Sequence, residues 1–236
     1  MSPIHTAEFT AALARCLPQR RANPLIAVAN SAGPDSTCLL FLLRQLFPPQ
    51  SLLSVHVVHH LQPASNHMAL TAADNARAFG ITHHVAHIPW GVPPFPPLPT
   101  SGPVERTARD ARYSLLFRAI TQARAPLLAL GHHADDQLET AIMRIARGSS
   151  LLGATGMRSS RRWGMGSDSP LARFGHHGLN TFIIRPLLPF PKVSLLPPPH
   201  LSHTHFLLGQ DPCHVSGPSF ALHQRSNKLT AAPHPP

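Results

Sequence analysis

The chain has 236 residues, enough for one sizeable domain with an appendage, and 43% of them are hydrophobic, enough to build its core. Lys+Arg number 20 against 10 Asp+Glu, a formal charge of +10, and all but Lys192 and Lys228 of those cations are arginine. Guanidinium pairs with phosphate in planar bidentate fashion, so the balance favours a polyanionic partner; 18 His and 27 Pro leave a compositional bias as the alternative. Cys16, Cys38 and Cys213 form no C-x-x-C pair, which excludes a disulfide scaffold, a zinc ribbon or a cysteine-ligated cluster and fits a reducing compartment. No apolar run approaches the ~18 residues of a membrane span, and no secretory signal layout opens the chain. Arg15, Arg20 and Arg21 near the start keep a mitochondrial presequence as the alternative to a cytoplasmic protein.

In chain order, residues 7–17 read as a helix and 25–29 as a short apolar strand. A glycine-bearing turn follows, then a buried helix over 38–47 stopped by Pro48 and Pro49. Residues 51–58 are apolar and β-branched enough for a buried parallel strand, 66–79 form a helix ended by Gly80, and 81–88 a third strand. The Pro/Gly-rich stretch 91–103 reads as a surface loop. Residues 105–124 are a long helix, 127–130 a strand and 134–147 a helix ended by Gly148. Residues 158–180 read as a flexible connector, 181–184 as a short strand, and the Pro/His-rich tail from 192 as poorly ordered. Strands alternating with helices predict an α/β fold with a doubly wound parallel sheet over 25–191, preceded by a lead-in over 1–24. Such sheets bind ligands at the carboxyl ends of their strands, which directs attention to the turns after Ala29 and Leu130.

The first turn reads Asn30-Ser31-Ala32-Gly33-Pro34-Asp35-Ser36-Thr37. Small residues let backbone N–H groups close on an anion, and the helix that follows aims its positive end at the same point. Pro34 suits a first helical turn, and Asp35 makes sense as a holder of a divalent cation on phosphates. An ordinary strand–turn–helix corner would also accommodate these residues. The second turn reads Gly131-His132-His133-Ala134-Asp135-Asp136-Gln137-Leu138-Glu139-Thr140 and places three of the ten acids within five residues. His132, Asp136 and Glu139 have the spacing to share one helical face, where they would hold Mg²⁺ or a cationic substrate group; the acids would equally stabilise a helix N-terminus.

Residues 31–36 (SAGPDS) resemble the S-G-G-x-D-S loop of the PP-loop ATP pyrophosphatases, a Rossmann-like fold. Residues 131–157 (GHHADDQLETAIMRIARGSSLLGATGM), 57–65 (VVHHLQPAS), 105–113 (ERTARDARY) and 184–188 (IRPLL) resemble the tRNA(Ile)-lysidine synthetase branch. The resemblance runs from about residue 25 to 191. It implies a ligase that adenylates the wobble cytidine of an isoleucine tRNA with ATP, releasing pyrophosphate, and then lets free lysine displace AMP. By position it implies that Ser31, Ala32, Gly33, Pro34, Asp35 and Ser36 hold the ATP phosphates, with Asp35 on Mg²⁺. It places Asp136 and Glu139, with His132 beside them, at the lysine ammonium or the activated base. Arg109, Arg112 and Arg185 sit in the resembling blocks and would contact tRNA phosphate, or else lie on solvated helix faces and strand ends; Arg147, Arg158, Arg161 and Arg162 form a basic stretch that suits either the tRNA backbone or a solvated loop. The sequence departs from the family pattern at Ala32 for the first loop glycine, at Val58 for an aspartate, at Gln62 for an arginine and throughout the tail. Two other readings are a sulfur-inserting tRNA-modifying relative and a truncated, non-catalytic tRNA-binding remnant.

Overall fold

The computed structural model describes residues 4–18, 24–148, 156–163 and 178–195. Helix α1 covers Thr6–Cys16 and strand β1 Ile26–Ala29, followed by α2 (Pro34–Leu46), a 3₁₀ turn at Pro49–Ser51 and β2 (Leu52–Val58). Then come α3 (Ser65–Ala78), β3 (Thr82–His87), α4 (Val104–Gln122), β4 (Leu127–Ala129) and α5 (Ala134–Ala146). Two short strands, β5 (Ser160–Arg162) and β6 (Phe182–Ile184), and a 3₁₀ turn at Lys192–Leu195 complete the described elements.

The six strands form one sheet in the order β3-β2-β1-β4-β6-β5. All neighbours are parallel except β5, which runs antiparallel to β6 with Arg161 opposite Ile183. The chain leaves β1 outward to β2 and β3 and then returns to the other side of β1 as β4, so strand order reverses between β1 and β4. Strand alternation explains the two-sided core. Ile26 and Val28 pack with Phe9 and Leu13 of α1 and Leu39 and Leu43 of α2, whereas Ala27, Val55 and Leu128 pack with Leu115, Leu116 and Ile120 of α4. Strands covered on both faces need mostly apolar runs; 25–29 is one throughout, and 51–58 is one apart from Ser51, Ser54 and His56, the last two buried with hydrogen-bond partners. α3 joins the α2 side, where Asn75 Nδ2 donates to Thr37 Oγ1 at 3.0 Å.

The doubly wound parallel sheet expected from sequence is therefore present, with one mixed edge. The connector expected over 158–180 needs correction where it is described. Residues 160–162 are a strand, and the next residue, Trp163, is 1% exposed, its ring 5.8 Å from Tyr113 and 5.3 Å from Phe117. Three arginine-rich residues carry no readable period, so only the pairing with β6 reveals the strand. Residues 164–177, and the expected poorly ordered tail beyond residue 195, lie outside the described residues. Among the described residues no helix is long and apolar enough to cross a membrane.

Candidate functional site

A cavity of about 330 Å³ opens at the carboxyl ends of β1, β2 and β4, where strand order reverses. Its walls come from three places: the turn after β1 (Asn30, Ser31, Asp35, Ser36), helix α4 (Arg109, Arg112, Tyr113, Leu116) and the turn after β4 (Gly131, His132, Asp136). Val55, Val57 and Met68 add an apolar floor.

The first wall is wired from within. Asn30 is 1% exposed; its Nδ2 donates to Ser54 Oγ and the Ala72 carbonyl, both at 3.1 Å, and its Oδ1 accepts the Ala32 N–H at 3.0 Å. Ser36 Oγ accepts the Ser31 N–H at 3.2 Å and donates to the Gly33 carbonyl at 3.0 Å. His56, buried in β2, contacts the Asn30 carbonyl through Nδ1 at 2.7 Å, so Nδ1 carries the proton; burial lowers its pKa. These bonds fold 30–33 into a cup over the first turn of α2, whose leading N–H groups have no intrahelical acceptor. Pro34 occupies the first helical turn as expected. Ala32 takes φ +65°, the left-handed region that favours glycine, at the position where the family loop carries glycine.

The second wall meets the first through Gly131. A Cβ there would stand 3.1 Å from both the Asp35 carbonyl carbon and the Ser36 nitrogen, so a side chain would push the turn off the start of α2. His133, 3% exposed, caps α5: its N–H donates to Asp136 Oδ2 at 2.9 Å and its Nδ1 accepts the Asp136 N–H at 3.4 Å. With Nδ1 accepting, the neutral ring carries its proton on Nε2, which lies 3.6 Å from both Asp35 Oδ2 and Asp136 Oδ2. His133 thereby ties the acid of the first turn to the acid of the second. Lys192 closes the same edge, with its N–H on Asp135 Oδ2 at 2.8 Å and Nζ 4.0 Å from Asp35 Oδ2.

His132 lies outside α5, two residues before its first turn, so the shared helical face expected from spacing is not how it reaches Asp136; both line the cavity instead. Burial first, and then the nearby Arg185 guanidinium, push its pKa down to about 4, so the ring is neutral near neutral pH. Glu139 is exposed, one helical turn beyond Asp136, and is not among the cavity-lining residues. Arg109 and Arg112 line the cavity, and Arg147 is exposed at the end of α5. Arg185, expected among the tRNA contacts, is instead 3% exposed and turned inward: Nε donates to His132 Nδ1 at 3.2 Å and Nη1 to the Arg158 carbonyl at 2.9 Å. Val58 is likewise interior.

Sequence reasoning assigned no role to Asn30, His56, Tyr113 or His133. A signal existed for His133 alone, an acceptor three residues before an acid at a helix start, but repeated His pairs along the chain hid it.

A family model described as a PP-loop domain matches residues 5–204. The chain is 35% identical over 176 residues to a tRNA(Ile)-lysidine synthase of Bradyrhizobium sp., covering 73% of this chain and 43% of that protein. It is 37% identical over 171 residues to a tRNA(Ile)-lysidine synthase of Pseudomonas fluorescens, covering 71% and 33%. The chain thus spans less than half the length of these curated relatives. Among solved structures it is similar to the U34-tRNA thiolase NcsA from Methanococcus maripaludis, with a TM-score of 0.57 and 19% identity over 80% of this chain and 61% of that one, a likeness of fold. A turn wired by side chains at the switch point of a parallel sheet, its SAGPDS sequence and the match over most of the chain agree: the chain belongs to the PP-loop family of ATP-binding domains.

Proposed function

We propose that the chain ligates free lysine to the wobble cytidine of an isoleucine tRNA, with ATP as the activating substrate, at the cavity between α2 and α5. The observation that carries this reading is a single cavity bounded by the start of α2 on one side and by His132 and Asp136 on the other. The relatives named tRNA(Ile)-lysidine synthase support it. Residues 31–36 would receive the ATP phosphates on backbone N–H groups. Asp35 fits a Mg²⁺ role, because its Oδ1 is buried with no hydrogen-bond partner and a hard cation takes carboxylate oxygen. Mg²⁺ held there would neutralise charge on the phosphates. Asp136 would face the lysine ammonium within the cavity, with Glu139 nearer its rim. Arg109 and Arg112 on the wall and Arg147 outside it would meet tRNA phosphates. A tRNA substrate is compatible with the cytoplasmic setting expected from the sequence and with its mitochondrial alternative.

Among the described residues no cysteine lines this cavity to serve the sulfur-inserting reading: Cys16 is packed in the core, and Cys38 is not in the walls. Burial also pushes the Cys38 thiol up to about 12. The test incubates the chain with isoleucine tRNA, ATP and labelled lysine, then digests the tRNA for nucleoside mass analysis. Lysidine with matching pyrophosphate release is expected. Tight tRNA binding without either product would make the chain a non-catalytic remnant. In the same assay Glu139→Gln should raise the lysine requirement and leave pyrophosphate release largely intact. A parallel fall of both products, not rescued by excess lysine, would move Glu139 out of the lysine site.

A further inference from the structure

We propose that Arg185 fixes His132 as a neutral imidazole protonated only at Nε2, which makes His132 a hydrogen-bond donor in the cavity and Arg185 its positioning residue. The tautomer follows from donor chemistry. Arginine has five N–H donors and no acceptor, so at 3.2 Å Arg185 Nε must donate and His132 Nδ1 must offer its lone pair. The neutral ring then carries its one proton on Nε2. A second proton on Nδ1 would break this bond and set a cation against a guanidinium that is itself 3% exposed.

Arg185 is held at two further points. Its backbone N–H donates to the Ser159 carbonyl at 2.8 Å and Nη1 donates to the Arg158 carbonyl at 2.9 Å. Strand β5, which supplies the chain around Arg158 and Ser159, thus locks Arg185, and Arg185 locks the ring. The charged and titratable groups around His132 are Arg185 after β6, Arg109 and Arg112 on α4, and Asp136 on α5. Three of these four are cationic, and together with burial they outweigh the one carboxylate, in line with a pKa pushed down to about 4.

This assignment rests on the proposed lysidine chemistry for its functional meaning. As the lysine nitrogen bonds to C2 of the adenylated cytidine, the C2–O bond breaks and its electron pair leaves on the AMP phosphate oxygen. An Nε2–H donor stabilises that developing charge without transferring a proton. His132 is then unavailable as the base for the amine: Asp136, the carboxylate lining the same cavity, takes the proton that the bound ammonium must lose to expose its lone pair, and the second proton, shed once the C2–N bond has formed, leaves to water.

The decisive measurement uses the full chain, without ligand, labelled with ¹⁵N-histidine. Imidazole nitrogen shifts report the tautomer directly, and the spectrum of His132→Gln identifies the His132 signals. Nδ1 should be pyridine-like and Nε2 pyrrole-like, unchanged from pH 8 to pH 5. A proton on Nδ1, or a titration midpoint between pH 6 and 7, would overturn the assignment. Arg185→Gln should raise the midpoint by one to two pH units; an unmoved midpoint in the folded variant would remove Arg185 from the role. If that variant does not fold, the wild-type spectrum still decides the tautomer. In the ligation assay His132→Gln, which retains an amide N–H at similar reach, should stay within about tenfold of wild type, whereas His132→Ala should lose about 10²–10³-fold. Equal losses in both would make His132 a base. A protein that forms no lysidine would overturn the proposed reaction and leave the spectroscopic result standing.

Discussion

The cavity has two corners of the same kind, a strand, a turn and a helix, yet they are anchored differently. The helix after β1 buries Ser36, Leu39, Leu40, Leu42 and Leu43, so the cup over 30–33 is set by the hydrophobic core itself. The helix after β4 buries none of its residues, and Leu138, Ile142, Met143 and Ile145 are all exposed. It is held by polar ties: the His133–Asp136 cap, Gln137 bonded twice to the Met157 backbone, Arg144 on the Gly156 carbonyl and the Ala134 N–H on the Phe190 carbonyl. One wall is thus placed by packing and the other by individually weaker hydrogen bonds, each with a net contribution of about 1 kcal/mol.

The sharpest break in this comparison is Asp35→Asn. It removes a charge from the packed wall without disturbing its apolar anchors, so the fold should persist. TRNA-dependent pyrophosphate release should fall by about 10²–10³, or 3–4 kcal/mol, as for loss of one preorganised charge-stabilising group. Unchanged release from a folded variant would take Asp35 out of the nucleotide site.

Acid should loosen both corners. His56 supports the first and His132 the second, and each has a pKa below its ordinary value, as does His83, pushed down to about 4 by burial. The unfolded chain therefore binds more protons than the folded one between about pH 4 and 6.5. Stability is full above pH 6.5 and is lost as pH falls through that window, by an amount of order 1–3 kcal/mol. Thermal melts from pH 8 to 4.5 check the direction; a melting temperature that is flat or rises toward acid would show that these rings are not neutral in the fold.

Gly131→Ala tests how closely the two corners must meet. The added carbon would lie 3.1 Å from backbone atoms of Asp35 and Ser36, which belong to the packed wall and cannot swing away. The tied wall should yield instead, at a cost of about 1–3 kcal/mol in stability together with weaker nucleotide binding. Melting and ATP titration of this variant separate the two effects. Full nucleotide affinity with lowered stability would mean that the corners relax without spoiling the cup.

The packed wall was largely legible in the sequence. The apolar run 25–29, the small-residue turn and Pro34 each announce strand, cup and helix start on local grounds, and the resemblance in 31–36 depends on the same residues. The strand and helix of the tied wall were legible over 127–130 and 134–147, but the ties that place them were not. Clustered acids pointed to Asp136, but not to His133 as the cap, nor to Arg185 as an interior donor 53 positions from His132. Those roles arise from partners distant in sequence, and no local pattern encodes them. β5 was missed for the same reason: three residues become a strand because β6 is there to pair with them.

Ala32→Gly should give the smallest effect and the most local one. Ala32 sits at φ +65°, where a Cβ crowds the carbonyl oxygen and costs about 1–2 kcal/mol relative to right-handed backbone. Glycine removes that strain but gives the unfolded chain more freedom, which offsets about 0.4–1 kcal/mol of the gain. The net should be a stabilisation of about 0.5–1 kcal/mol, seen as a rise in melting temperature of a few degrees or less. Gly33 is the control, because its φ is −77° and a Cβ there would meet only Ser31 Oγ at an ordinary 3.4 Å. Gly33→Ala should therefore carry no left-handed strain, and its unfolded-state term acts in the stabilising direction. If Ala32→Gly lowers the melting temperature, the cup is not strained at this residue, and Ala32 must be stiffening a turn that glycine would leave too loose to hold phosphate.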